Sequence, residues 1–187
     1  MAMLYGDLAK NGEILDFIDC GNNNYMVSIN IGNQRNKVSS YTHIKSDKGG
    51  INVINSNLGN VLLIDYKKSV IIREPNEGYY IYNVDTGTRV SEYYKTMKFV
   101  NVEGFSGIYA TDVIRNDIGT IFIELGCLLD YDGNILSDIY NVATNEYYKG
   151  VYNSLDYIEL KKSLRKRLDS NKSTEEEICR KLIKTRR

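Results

Sequence analysis

The sequence predicts a mainly β fold: a meander, sandwich or barrel of repeated strand-turn-strand units over residues 1–153, then a basic C-terminal appendage of two helices over residues 154–187. Three observations carry this expectation. Short runs of alternating apolar and polar residues are separated by Gly, Asn and Asp, as strands joined by tight turns require. Tyr (16) far outnumbers Pro (1), and aromatic rings suit a half-buried pleated surface whose ladder proline would break. Finally, residues 84–105 return 46 residues later without a gap. Gly87 aligns with Gly133, Ser91 with Ser137, Glu92 with Asp138, Tyr94 with Tyr140 and Gly104 with Gly150.

In chain order, Asn11 and Gly12 suit a hairpin turn, because both tolerate the positive φ of a type I′ turn. An Asn-rich turn then leads into the alternation Tyr25, Val27, Ile29, Ile31, which buries one face. Residues 33–50 are polar, with one short strand at 38–44. Strands follow at 61–64, after a turn at 57–59, and at 69–73, before a loop marked by Pro75 and Gly78. Residues 79–84, the turn 85–87 and the return 88–94 form the first copy of the repeat. Further strands are expected at 99–102, 108–114 and 120–129, with Gly126 as a bulge, and the second copy turns at Asp132 and Gly133. In the tail, Tyr157, Leu160, Leu164 and Leu168 recur at helical spacing after a capping Ser154. Ser173 with Glu176, or Thr174 with Glu177, forms a capping box that announces a second helix.

Composition narrows the function classes. Apolar residues at 42% and charged residues at 26% exclude wholesale disorder. Net charge is zero but divided: from Ser154 onward 11 basic residues face 6 acidic ones, and the preceding chain carries the compensating excess of acid. A tail of that sign suits an acidic partner. Cys20, Cys127 and Cys179 are odd in number and lack zinc-type spacing, so they read as reduced thiols. With neither an apolar leader nor a run of about 18 apolar residues, the expectation is a cytoplasmic protein without a membrane span.

Each copy of the repeat carries an acidic residue, a Gly turn, a Ser-acidic pair and a Tyr: Asp85, Gly87, Ser91 and Tyr94, then Asp132, Gly133, Ser137 and Tyr140. This pattern resembles a degenerate WG-type β repeat, although the chain has no tryptophan. The resemblance implies a β-rich module used for binding rather than chemistry, and it carries over no functional residue.

Several chemistries fail on spacing. A single histidine, His43, excludes every two-histidine metal site and leaves Cys20 with His43 as the one distinct nucleophile pair. An EF-hand around DYDGN would need ligands at Leu128 and Ile139, which cannot coordinate calcium, so a solvent-facing hairpin turn explains Asp132 and Gly133. No GxGxxG or GxxxxGKS stretch offers a phosphate cradle, and Glu92 with Asp138 share a repeat position rather than a catalytic one. No cofactor or metal is expected. The candidate contacts are Tyr79, Tyr80, Tyr93, Tyr94, Tyr140, Tyr147 and Tyr148, because paired tyrosines on a strand place one ring on each face. They are joined by Lys161, Lys162, Arg165, Lys166 and Arg167, expected on the helix side opposite Leu160, Leu164 and Leu168. The leading expectation is therefore a non-catalytic module that binds a protein partner, in the manner of a phage or mobile-element accessory protein that inhibits or modulates a host protein. Nucleic-acid binding through the basic tail is the alternative, and an enzyme with an unrecognised site is a third.

Overall fold

A pair of asparagines sets the first turn. Asn22 and Asn23 both adopt positive φ, which a two-residue type I′ turn demands, and they join β1 (Glu13–Gly21) to β2 (Asn24–Asn30). The computed structural model describes residue 8 and residues 12–30, 40–65, 69–102, 105–117, 119 and 122–184, without the side chains of 30, 63–65, 102, 105 and 171–184. Asn11 of the expected first turn and residues 38 and 39 of the expected strand at 38–44 lie outside the described residues. With β3 (Tyr41–Asp47) and β4 (Gly50–Leu58), these strands form an antiparallel sheet in chain order. Only Gly59 separates β4 from β5 (Asn60–Asp65), where the chain enters a second sheet with β6 (Ser69–Glu74), β7 (Gly78–Asn83) and β8 (Thr88–Arg89). The third sheet holds β9 (Thr96–Val102), β10 (Phe105–Arg115), β11 (Phe122–Leu129), β12 (Ile139–Asn141) and β13 (Tyr147–Tyr148). The protein is thus mainly β, with one C-terminal helix, α1 (Ser154–Lys184).

Compactness divides the chain into two units: Met1–Met97 with Tyr131–Gly133, and Lys98–Asp130 with Asn134–Arg187. In the first unit, Cys20, Met26, Tyr41 and Leu58 of the first sheet share a core with Val70, Ile72, Tyr80 and Tyr82 of the second. On the opposite face of β2, Tyr25 and Val27 close a smaller cluster with Leu8 and Ile44. Tyr131–Gly133 is anchored within this unit by Ser69, whose hydroxyl donates to Tyr131 O at 2.7 Å. Asp132 is exposed, but Gly133 is buried rather than solvent-facing. Its φ is +82°, and an added Cβ would lie 2.3 Å from Val90 O, so no larger residue fits there.

In the second unit, Ile108, Ala110 and Ile114 of β10 and Leu125, Cys127 and Leu129 of β11 are buried. The pairing of β10 with β11 runs unbroken through Thr111↔Gly126, so Gly126 is not the expected bulge. The glycine is needed for another reason: a Cβ there would sit 2.8 Å from Tyr109 Oη and 2.8 Å from Tyr140 Cζ, whose rings occupy its place.

Two expectations for the tail are corrected. One helix spans Ser154–Lys184 where two were expected, because neither Gly nor Pro interrupts the chain between Leu168 and Ser173 and nothing forces the backbone out of the helix. Its cap is Asn153 rather than Ser154: Asn153 Oδ1 accepts from Asp156 N at 3.0 Å, and Asp156 Oδ2 accepts from Asn153 Nδ2 at 2.8 Å.

Candidate partner-binding surfaces

The Cys20 and His43 pair does not assemble into a site. Both ring nitrogens of the fully buried His43 are occupied, Nε2 donating to Asn24 Oδ1 at 3.1 Å and Nδ1 accepting from Tyr82 OH at 3.0 Å. Asn24 fixes that tautomer, since its amide NH2 is turned to Asn22 O and leaves its oxygen toward the ring. Burial, assisted by Lys45, lowers the His43 pKa and keeps the ring neutral. Burial likewise pushes the Cys20 thiol up to about 11, far from a nucleophilic thiolate. Glu92 and Asp138 belong to different compact units. Among the described residues, no three His, Cys, Asp or Glu side chains gather at one point, and no helix is long and apolar enough to cross a membrane.

The tyrosines divide by face. Tyr80 and Tyr94 are buried at 5% and 2% exposure, so their rings belong to the core and lie beyond a partner's reach, a correction to their place among the contacts. Their neighbours Tyr79 and Tyr93 are half-buried. The Arg73 guanidinium lies 6.0 Å from the Tyr79 ring, and that of Arg89 lies 4.5 Å from the Tyr93 ring. Tyr93 also meets the edge of Tyr80 at 5.3 Å.

A different arrangement occurs on the third sheet. Gly126 pairs with Tyr140, and Tyr140 with Tyr147, so these positions share a face; Tyr109, two residues from the Thr111 partner of Gly126, joins them. The hydroxyls of Tyr109 and Tyr140 are 2.5 Å apart, and the Tyr140 and Tyr147 rings are 6.0 Å apart at 35°. Lys98 Nζ stands 5.6 Å from the Tyr109 ring. Burial, and then the Tyr140 hydroxyl, push the Tyr109 pKa strongly upward, so the Tyr109 hydroxyl stays protonated across the physiological range. Exposure grows toward the edge strand, where Tyr147 reaches 61%. Tyr148 points to the other face, its hydroxyl donating to Glu146 at 3.3 Å. Sequence reasoning missed Tyr109 and Lys98. The signal was Gly126, an isolated glycine in an apolar strand that could have been read as a seat for neighbouring rings.

The five basic residues of α1 do not form one face. Tyr157, Leu164 and Leu168 are buried, and Lys161 lies on their flank, its Nζ 3.1 Å from Asp112 Oδ2 on β10. Tyr157 OH donates to the same oxygen at 3.3 Å. On the other flank, Arg167 reaches Glu146 at 3.7 Å. Lys162, Arg165 and Lys166 remain exposed on one side, at helical spacings of three and four, with no acidic partner among the described residues. They border an open groove of about 520 Å³ between α1 and β10, together with Ile158, Val113 and Ile114. Comparison with known proteins returned no matching family, no matching curated protein and no matching solved structure.

Proposed function

We propose that the chain is a non-catalytic protein-binding module of the β-repeat kind, acting in the cytosol by occupying and modulating a partner, with tyrosines as anchors and the basic helix as a second contact. The observation that carries this reading is the row of Tyr109, Tyr140 and Tyr147 across one face of the third sheet, open toward Tyr147. Rigid rings already held by a shared hydrogen bond and by stacking lose little freedom on binding, which is why tyrosine dominates contact hot spots.

The repeat reading draws support from matched hydrogen bonds. Ser91 Oγ accepts from Ile81 N at 2.9 Å and donates to Glu92 O, while Ser137 Oγ accepts from Leu128 N at 3.0 Å and donates to Asp138 O. Tyr79↔Tyr94 and Gly126↔Tyr140 are the corresponding strand contacts. At the place that the half-buried Tyr79 takes in the first copy the second has Gly126, which frees the face for Tyr109 and Tyr140.

The test is affinity capture of the partner with the native chain, followed by titration of that purified partner with a Tyr140→Ala, Tyr147→Ala variant whose folding is checked by circular dichroism. Loss of about 2 kcal/mol, roughly thirty-fold in Kd, is expected. Unchanged affinity in the folded variant overturns the tyrosine surface.

A further inference from the structure

The groove between α1 and β10 has a strand edge along its floor. β9 has 7 residues and β10 has 11, and the two are separated by only two residues in sequence, so β9 covers at most the first seven positions of β10 and leaves 112–115 beyond its end. The position of Lys98 over Tyr109 agrees with that register. On its other side β10 is paired with β11 as far as Arg115↔Phe122, so among the described residues the overhang is an edge on one side only. Val113 N donates to the Asp112 carboxylate at 2.8 Å. That bond caps an outward-facing amide, and the Val113 carbonyl on the same side is left for an incoming donor.

The walls of the groove decide what fits. Asp112, the nearest acid, is engaged by Lys161 Nζ and Tyr157 OH, and Asp169 accepts from Asp117 N at 3.0 Å. Lys162, Arg165 and Lys166 therefore line the groove without a direct acidic partner among the described residues. Ile158 and Ile114 add aliphatic surface, and among the described residues no aromatic lines the groove. A base would find nothing to stack on, whereas an extended peptide finds a carbonyl edge, aliphatic contact and cations for its carboxylates.

We infer that the overhanging edge of β10 under α1 takes an acidic, extended segment of a partner protein by strand addition, its carboxylates meeting Lys162, Arg165 and Lys166. This rests on the protein-binding reading and assigns the chemistry of the second contact. Asp112 acts as a guard on the edge, holding the Val113 amide until a strand arrives.

The experiment uses the full-length chain and a fluorescein-labelled peptide of alternating Glu and Val, about ten residues long, read by anisotropy. Binding is expected, with N-methylation of alternate peptide residues abolishing it in one register and sparing it in the other. Charge reversal at Lys162→Glu with Arg165→Glu should weaken it about tenfold or more, while Lys48→Glu, an exposed position of the first unit, leaves it unchanged. Both substituted cations are exposed, so the variant folds as the native chain does, checked by circular dichroism. Absence of binding, indifference to N-methylation in both registers, indifference to the charge reversal, or tighter binding of an oligo-dT strand of the same length each overturns the inference. Failure here with loss of the partner in the tyrosine variant leaves the tyrosine surface standing. Peptide binding with no effect of the tyrosine variant on the partner overturns that surface alone.

Discussion

A neutral imidazole with both nitrogens bonded, as in His43, ties three side chains together where no water reaches: Asn24 and Tyr82 are committed to it at 3.1 and 3.0 Å. Protonation would turn its accepting nitrogen into a donor aimed at Tyr82 and place a charge in the core. Because burial lowers the folded-state pKa below the ordinary 6.5, the stability this group contributes is present above 6.5 and is lost as pH falls through the lowered value. The melting temperature should therefore drop as pH is lowered from about 7.5 to about 5.5, above the range where carboxylates titrate. A His43→Gln variant should show a lower melting temperature overall and a flatter dependence over that window. A native slope no steeper than that of the variant would remove His43 as its source. The sequence favours a structural or incidental reading of the single histidine over a catalytic one, but it cannot name the partners, which lie 19 and 39 residues away.

At the scale of elements, α1 shows what periodicity reveals and what it hides. The spacing of Tyr157, Leu160, Leu164 and Leu168 marks the docked stripe; Tyr157, Leu164 and Leu168 are buried and Leu160 is half-buried. Truncating Leu164 to Ala should cost about 2–5 kcal/mol, whereas Lys162→Ala, one turn away on the exposed side, should change stability by less than about 0.5 kcal/mol; urea unfolding of both variants measures this. Equal losses would mean that the helix is not held by its apolar stripe. Periodicity could not divide the cations, however, because Lys161 and Lys162 differ in role only through where Asp112 stands on a strand 49 residues earlier. Nor could it count the helices. The capping box around Ser173 is a local signal, and a local signal loses where the backbone has no reason to break. The tyrosine row was half visible: Tyr140 and Tyr147 belonged to the expected set, but Tyr109 joined them only through the register of β10 with β11.

For the molecule as a whole, strands and turns were readable because Asn, Gly and Asp mark reversals chemically, as at Asn22 and Asn23. The assignment of strands to three sheets was not, since pairing partners are set by packing of faces that a linear alternation does not distinguish. The division into two units gives each core its own reporter: Cys20 is buried in the first and Cys127 in the second. Both thiols should resist iodoacetamide in the native protein by at least about a hundredfold relative to denatured chain, because labelling must wait for the surrounding core to open. Peptide mapping distinguishes the two, and rapid native labelling of either would show that its core opens readily. Comparing their rates across a denaturant series also reports whether the units open together.

The two serine-closed turns differ in one way that bears on change rather than on binding. Ser91 reaches back ten residues to its strand amide and Ser137 reaches back nine, yet each closes the same pair of bonds. A residue gained between the exposed Asp85 and Thr86 should therefore be absorbed by the turn, because the hydroxyl bond sets the return segment against its strand. A protein with a reporter sequence spliced in there should stay folded, with the pairing of β7 with β8 preserved.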